Sequence, residues 1–197
     1  MSVAFAALLS YSFINCITPG PNTIMLATSG VNFGFKRTIP HSLGVYLGFL
    51  LMLTIVCFGL GELFTRFPLI QPFMKYAGSA YLLYLAWRIY QSTNISNVDV
   101  AKPLTFIEAA LFQYINPKAW ILAGTIPSAF VLSSQITTLD IAFLIGGHAI
   151  VSLPAILFWV IAGTQLKRFL SSPRALKIFN TVMALLLVAT VGMILLG

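Results

Sequence analysis

The chain has 197 residues, of which 59% are hydrophobic and only 8% are charged, and its mean hydropathy is +0.96. A typical soluble domain is about 25% charged and could not cover so much apolar surface, so the composition argues against a soluble fold and predicts an all-α integral membrane protein. The net charge of +7 does not indicate nucleic-acid binding, because the basic residues are spread among short connections without a basic stripe.

Six apolar segments are each long enough to cross a hydrocarbon core, which needs about 20 residues. Prolines stand at the start of several of them, where a first helical turn tolerates proline. The first segment lacks a basic leader and is longer than the apolar part of a signal peptide, so we expect it in the mature protein. In chain order the segments cover residues 3–29, 40–60, 72–90, 105–128, 138–165 and 173–196.

The first segment is interrupted by "TPGPN", residues 18–22. Two prolines flanking a glycine end a helix. Backbone N–H and C=O groups freed inside a bilayer are tolerated only where protein or a water-filled cavity satisfies them. The interruption therefore indicates either a binding site or a kink between packed helices. Cys16, just before it, and Cys57 in the second segment are expected to be small buried residues without a disulfide.

The second and third segments carry packing and aromatic patterns. Gly44 and Gly48 are four residues apart and predict close helix packing. His41, at the boundary of the second segment, is expected at the membrane interface. Tyr81, Tyr84 and Trp87 share one helix face and indicate either a substrate path or an interfacial aromatic cluster.

A polar linker at residues 91–104 divides the chain into two halves of three segments, about 1–90 and 105–197. Eight of the eleven lysines and arginines fall in the first, third and fifth connections, two in the second and none in the fourth. The positive-inside rule therefore places the odd connections and the linker in the cytoplasm and both termini in the periplasm. With three spans per half, the halves enter the membrane from opposite sides, which predicts a 3+3 inverted-topology repeat within a single transporter domain, 1–197.

The fourth segment begins at Thr105 and Glu108, which have the spacing of a capping box. It is interrupted by "INPKAW", residues 115–120. Aligning Pro19 with Pro117 gives both interruptions a polar residue just before the proline and an amide four residues before it. Helices 1 and 4, the counterparts of one another in the repeat, are therefore both predicted to be broken.

Two broken helices that enter from opposite sides could hold a zwitterion. The N-terminus of a half-helix favours an anionic group, and the C-terminus of a half-helix presents carbonyls to an ammonium group. Lys118 binds a substrate carboxylate, acts in proton coupling as a fixed charge that a proton or substrate displaces, or caps carbonyls freed by Pro117. The predicted substrate-binding residues are Asn15, Thr18, Pro19, Gly20, Pro21, Asn22, Gln113, Asn116, Pro117 and Lys118.

The fifth segment contains His148, which is either a proton-coupling residue or a neutral histidine satisfied between helices. With Ser152 it forms one i,i+4 pair, which is weak support for an intramembrane enzyme. The sequence has no GxSxG elbow, no HExxH and no paired intramembrane carboxylates. No catalytic residue, metal site or cofactor is therefore predicted.

Five stretches resemble the LysE/RhtB family of bacterial amino-acid exporters. They are "TPGPN", "GVNFG", "GVYLG", "KYAGSAYLLYLAW" and "INPKAW", and the likeness covers essentially the whole chain. The resemblance implies a small multi-pass exporter of the bacterial inner membrane, acting on amino acids or their derivatives by proton antiport, and allows a homodimer.

One departure from that family concerns the substrate. Many relatives have an acidic residue just after the second-helix glycine pair, and this chain has Phe49 there. The lack of a carboxylate argues for a neutral substrate of the cysteine, O-acetylserine, homoserine or leucine class, and the chain is similar to the cysteine and O-acetylserine exporter branch. An intramembrane enzyme, a passive channel and an assembly subunit stay as alternatives.

Overall fold

The computed structural model describes residues 3–60, 69–92, 102–131, 136–170 and 172–196. In these ranges the regular structure is helical, apart from one isolated bridge between Val3 and Val131. The prediction of an all-α protein is confirmed. The α-helices are α1 Phe5–Ile17, α2 Pro21–Phe33, α3 Phe35–Ile55, α4 Ile70–Gln91, α5 Phe106–Phe112, α6 Pro117–Phe130, α7 Thr138–Leu166 and α8 Pro173–Leu196.

Two short turns extend this helical framework. A π-helical turn, Val56–Leu60, continues α3, and a 3₁₀ turn, Gln113–Ile115, continues α5. With its extension to Gly59, α3 is long and apolar enough to cross a membrane, as are α7 and α8. The chain is therefore a multi-pass membrane protein. Helices α1 and α5 are apolar but shorter, because each ends at one of the predicted interruptions.

The capping box predicted at Thr105 is confirmed. Its hydroxyl accepts a hydrogen bond from the backbone N–H of Glu108 at 3.2 Å, and the Glu108 carboxylate accepts one from the N–H of Thr105 at 2.7 Å. Thr137 and Asp140 begin α7 in the same way, at 3.2 and 3.0 Å. Both pairs satisfy N–H groups that a helix start leaves open.

The start of the second segment differs from the prediction. Helix α3 begins at Phe35, so Pro40 lies inside the helix and not at its first turn. The cause is Gly34, whose φ of +80° turns the chain between α2 and α3 within one residue, as glycine allows. His41, which the sequence predicts at the membrane interface, lies inside α3 and is 1% exposed, so other parts of the protein cover it.

The helices pack in a small number of pairs. Both α1 and α2 pack on α7, α5 packs on α3, α4 packs on α8, and α3 packs on α7. A Cβ atom on Gly44 would overlap the Phe106 carbonyl of α5, and one on Gly48 would lie 2.6 Å from the Ala110 Cα. The packing role predicted for these two glycines is confirmed, because only glycine allows α5 to approach α3 this closely.

The buried apolar side chains form two clusters. One is built mainly from α2, α4, α5, α7 and α8 and includes Leu26 and Leu187. The other is built from α1, the second half of α3, α6 and the start of α7, and includes Leu8 and Ile126. The interruptions of α1–α2 and α5–α6 lie where these clusters meet. The greater part of the predicted linker lies outside the described residues.

Candidate functional site

The first interruption separates α1 from α2. Helix α1 ends at Ile17, and α2 begins at Pro21. The Thr18 N–H still donates to the Ile14 carbonyl at 3.0 Å. The Thr23 hydroxyl accepts from the Gly20 N–H at 2.8 Å and donates to the Gly20 carbonyl at 2.9 Å. The Thr18 carbonyl is left beyond the end of α1, available to a donor from elsewhere.

The second interruption separates α5 from α6. After the 3₁₀ turn, Asn116 is extended, with φ −92° and ψ 109°, and Pro117 begins α6. The Asn116 side chain accepts from the Lys118 N–H at 3.1 Å, which caps the new helix. The side chain of Lys118 therefore extends from the first turn of α6, directly beside the interruption.

The two interruptions correspond less simply than the alignment of Pro19 with Pro117 predicts. The amides of Asn15 and Gln113 do behave alike, since each donates to the carbonyl four residues earlier, at 3.0 and 2.8 Å. At the helix starts, however, Pro117 corresponds to Pro21. The first interruption is therefore two residues longer than the second.

Two side-chain contacts join the interruptions. The Lys118 Nζ donates to the Thr18 carbonyl at 3.1 Å. The amides of Asn22 and Gln113 bond reciprocally, at 2.8 and 3.3 Å. Lys118 thus caps a carbonyl of the other broken helix and not one freed by Pro117. Residues about one hundred positions apart are thus brought into one polar centre.

This centre borders a cavity of about 80 Å³, which we call the central cavity. Of the predicted substrate-binding residues, Thr18, Pro19 and Pro117 do not line it, although the Thr18 carbonyl contacts Lys118. The predicted residues that do line it are Asn15, Gly20, Pro21, Asn22, Gln113, Asn116 and Lys118, together with the proton-coupling candidate His148.

Sequence reasoning missed most of the apolar wall of the central cavity. Val45 and Phe49 come from one face of α3, and Ser152 and Ile156 continue the face of α7 that carries His148. Phe49 and Ser152 are singled out by the sequence, and their i,i+4 spacing to Val45 and Ile156 is the signal that could have found these two. Cys16 also lines the cavity.

His148 is held between α1 and α3. Its Nδ1 lies 3.1 Å from the Ser12 hydroxyl, and its ring centroid is 4.6 Å from that of Phe49. The side chain is 2% exposed. One nitrogen of the imidazole is therefore paired between packed helices, and the side chain also borders the central cavity, which is compatible with both predicted roles.

A second cavity, of about 400 Å³, lies where α2 and α4 end and where α3 and α5 begin; we call it the end cavity. Arg88 and Glu108 form an ion pair at 3.5 Å on its wall. His41, Tyr84 and Trp87 also line it, whereas Tyr81 does not. The residues described in the structure contain no group of three or more His, Cys, Asp or Glu side chains that could hold a metal ion.

Known proteins match this chain over nearly its whole length. The LysE type translocator family matches residues 13–196. The chain is 30% identical over 191 residues to the cysteine/O-acetylserine efflux protein of Shigella flexneri serotype 5b, covering 94% of both chains. It is 31% identical over 188 residues to the protein of the same name from Escherichia coli K12, covering 93% of both. No solved structure matches the chain.

The match spans both interruptions and nearly the whole chain, and the similar proteins carry efflux names rather than enzyme names. The chain therefore belongs to the family of LysE type translocators and is an amino-acid transport protein, not an enzyme.

Proposed function

We propose that the protein exports small neutral amino acids or their derivatives across the bacterial inner membrane, in exchange for protons. The names of the similar proteins point to cysteine and O-acetylserine, and homoserine and leucine belong to the same class of small neutral substrates. The transporter is a single domain over residues 1–197, and it works by alternating access around the central cavity.

The observation that carries this proposal is the bond between Lys118 and the Thr18 carbonyl, which crosses from one broken helix to the other. A cation and a half-helix carbonyl are the two groups that the ends of an amino acid need. In our mechanism, the substrate carboxylate replaces the carbonyl on Lys118, and the substrate ammonium takes the freed Thr18 carbonyl. The substrate thus separates the two interruptions that this bond holds together.

The wall of the central cavity supports a neutral substrate. Among the described residues that line it, none is acidic, and Phe49 of α3 supplies a ring. A cationic side chain would lose its hydration there without gaining a carboxylate, which costs several kcal/mol. A small neutral side chain has no such cost.

The helix packing supports the 3+3 inverted repeat, with α1–α2 and α5–α6 each acting as one broken span. In the repeat, α1 corresponds to α5, α3 to α7 and α4 to α8. The packing of α5 on α3 then corresponds to that of α1 on α7, and the α4–α8 and α3–α7 pairs correspond to themselves. The rings of Phe49 and His148 are in contact between α3 and α7. Each of these two residues directly follows a glycine that packs on a half-helix, α5 for Phe49 and α1 for His148.

We take the odd connections as cytoplasmic and both termini as periplasmic. In a variant in which Cys16 and Cys57 are replaced by serine, Arg168→Cys should react with a membrane-impermeant maleimide in inverted vesicles and resist it in intact spheroplasts. The reverse pattern would overturn the orientation. The homodimer allowed by the family resemblance stays a prediction, which cross-linking in the native membrane tests.

Lys118 and His148 are the proposed proton-coupling groups, because both line the central cavity and both can exchange a proton. Proton release from Lys118 would free its bound carboxylate, and His148 would pass the proton along α7. His148→Gln should then leave counterflow of the substrate intact while removing its response to a pH gradient.

The proposal is tested in inverted membrane vesicles that contain the protein. An imposed proton gradient should drive uptake of radiolabelled O-acetyl-L-serine, and uptake should saturate, as for a carrier. Vesicles of the same strain without the protein are the control. Uptake at the control level for cysteine, O-acetylserine, homoserine and leucine would refute the proposed substrate class, and flux that does not saturate would favour a channel.

A further inference from the structure

We infer that the end cavity is a second binding site for an α-amino-acid zwitterion, which captures the substrate on the cytoplasmic side before it reaches the central cavity. This inference rests on the proposed function and orientation. Helix ends, not helix interruptions, build this site, so its chemistry differs from that of the central cavity.

Size is the first argument. Small-molecule sites have volumes of about 300–1,000 Å³, and the end cavity, at about 400 Å³, falls within this range. The central cavity, at about 80 Å³, does not. In this conformation the end cavity is therefore the one of the two that has room for a free amino acid.

The charges on its wall are the second argument. The Arg88 Nη1 lies 3.5 Å from the Glu108 Oε1 in a single long contact, and the two side chains are 24% and 40% exposed. Each is also fixed by another bond, from the Arg88 Nη2 to the Lys102 carbonyl at 3.0 Å and from the Thr105 N–H to the Glu108 Oε2 at 2.7 Å. A cation and an anion held side by side match the carboxylate and ammonium of one zwitterion, and Arg88 keeps further N–H donors for the carboxylate.

His41 is the third and independent argument. It lines the end cavity and is 1% exposed, yet neither ring nitrogen has a hydrogen-bond partner among the described residues. Its neighbours on the wall do not supply one, since the Ser29 hydroxyl pairs with that of Thr38 at 2.9 Å. Buried polar groups are rarely left unpaired, so we assign His41 the role of binding a polar side chain or the carboxylate of the ligand when the cavity is filled.

The position of the cavity fits a path to the centre. Met25 and Thr28 of α2 line the end cavity, whereas Thr23 and Leu26 of the same helix line the central cavity. The α2 residues that line the two sites interleave along the helix, so the two sites adjoin there. A substrate released from Arg88 needs only to follow this helix toward Lys118.

The test measures equilibrium binding of radiolabelled O-acetyl-L-serine to the full-length protein in lipid nanodiscs. In Lys118→Met, which disables the central site, we expect one molecule still to bind per chain. Adding Arg88→Gln should raise the dissociation constant at least about tenfold, the loss expected for one charge-assisted hydrogen bond. Arg168→Gln is the matched control, because Arg168 is exposed and lines neither cavity, and it should change nothing.

His41→Leu separates binding from structure. Removing two buried and unpaired nitrogens should leave the thermal midpoint unchanged or raise it, while the affinity in the Lys118→Met background falls about tenfold. A structural role for His41 would instead lower the midpoint and spare binding, and that result would contradict the inference.

A second readout keeps the test valid if Lys118→Met does not fold. Trp120→Phe with Trp159→Phe leaves Trp87, on the cavity wall, as the one tryptophan. O-Acetyl-L-serine should quench its fluorescence, and Arg88→Gln should abolish the response. The inference would be overturned if Arg88→Gln and His41→Leu both left binding unchanged. It would also be overturned if the fluorescence of Trp87 did not change when the ligand binds.

The two proposals fail in different ways. Vesicle uptake that disappears only with Lys118→Met, with no binding left in that variant, would refute the end-cavity site while the export function stands. Binding sensitive to Arg88→Gln, in a protein whose vesicles accumulate no substrate, would refute export while the site stands.

Discussion

The central cavity and the end cavity bind polar groups by different means. In the central cavity the polar centre is a backbone carbonyl, one lysine and two amides, and its bonds run between two broken helices. In the end cavity, Arg88 and Glu108 belong to the neighbouring ends of α4 and α5, and their ion pair leaves about 400 Å³ open beside it. The smaller cavity is therefore closed by the same groups that we expect to bind substrate.

This difference indicates that the central cavity and the end cavity have different functions. Bonds that cross between the halves must break for the halves to move, so a ligand that replaces them couples binding to movement. The Arg88–Glu108 pair also joins the two halves, but it links α4 to α5 at the ends that the linker connects and not at the interruptions, so we expect it to persist while the interruptions separate. We therefore expect changes in the central cavity to stop transport, and changes in the end cavity to weaken capture.

The largest effect is expected for Lys118→Met. It removes the cation that bridges to the Thr18 carbonyl, and export of O-acetyl-L-serine in inverted vesicles should fall about a hundredfold, since bonds to charged groups contribute about 1.5–3 kcal/mol. Lys167→Met is the control, because Lys167 is exposed and lines neither cavity. Export by Lys118→Met near the level of the control would contradict the proposed role of the central cavity in transport.

Phe49→Glu should change the substrate of the central cavity. The new carboxylate would face His148, whose ring lies 4.6 Å away in the native protein, and would need a cationic partner. We expect uptake of O-acetyl-L-serine to fall at least about tenfold and uptake of L-lysine to rise above background. Phe49→Leu, which keeps the wall apolar, should stay within about threefold of the native protein, since an apolar swap of this kind costs little.

The result for L-lysine decides whether Phe49 selects the substrate class. If Phe49→Glu loses neutral export without gaining the cation, while Phe49→Leu stays active, the carboxylate disrupts the site and the substrate class is set elsewhere. If both variants export O-acetyl-L-serine normally, the wall of the central cavity does not select the substrate.

Several features of the fold could be predicted because they depend on local chemistry. The Pro-Gly-Pro run at residues 19–21 ends α1, and Thr105 with Glu108 begins α5 by a local exchange of hydrogen bonds. The predicted residues around both interruptions meet at one cavity for the same reason, since each interruption leaves polar groups that must find partners.

Other features depend on distant neighbours and could not be predicted. The first interruption extends to Pro21, and not Pro19, because Pro21 begins α2. The burial of His41 depends on the packing around the start of α3 and not on its neighbours in the sequence. The end cavity is built from helix ends and from Lys102 beside the linker, so no single motif indicates it.

A smaller effect is expected in thiol labelling, which compares occupied and empty states of the central cavity. Cys16 lines this cavity, whereas Cys57 is buried and lines neither cavity. In Cys57→Ser, saturating O-acetyl-L-serine should slow the reaction of Cys16 with N-ethylmaleimide several-fold, because a bound ligand excludes the reagent.

Cys16→Ser, which leaves Cys57, is the matched control and should react slowly with and without ligand. Protection should also be lost in Lys118→Met and kept in Arg168→Gln. If Arg88→Gln abolishes protection at saturating ligand while Lys118→Met does not, the ligand that shields Cys16 lies in the end cavity, and our division between the two sites is wrong.

The smallest effect is expected for Gly20→Ala. The backbone of Gly20 is extended, so alanine causes no backbone strain. Its Cβ would lie 3.1 Å from the Lys118 Nζ and 3.2 Å from the Cδ, atoms at the flexible end of that side chain. A shift of a few tenths of an ångström weakens the bond to the Thr18 carbonyl without removing it, so export should fall only about twofold, a fraction of the effect of losing the bond.

Gly192→Ala in α8 is the matched control, because a Cβ atom there meets no atom within 4 Å. It should leave export unchanged while slightly raising the thermal midpoint. If Gly20→Ala costs as much as Lys118→Met, the position of the ammonium group, and not its charge alone, sets the rate, and the central cavity has less freedom to adjust than its flexible lysine suggests.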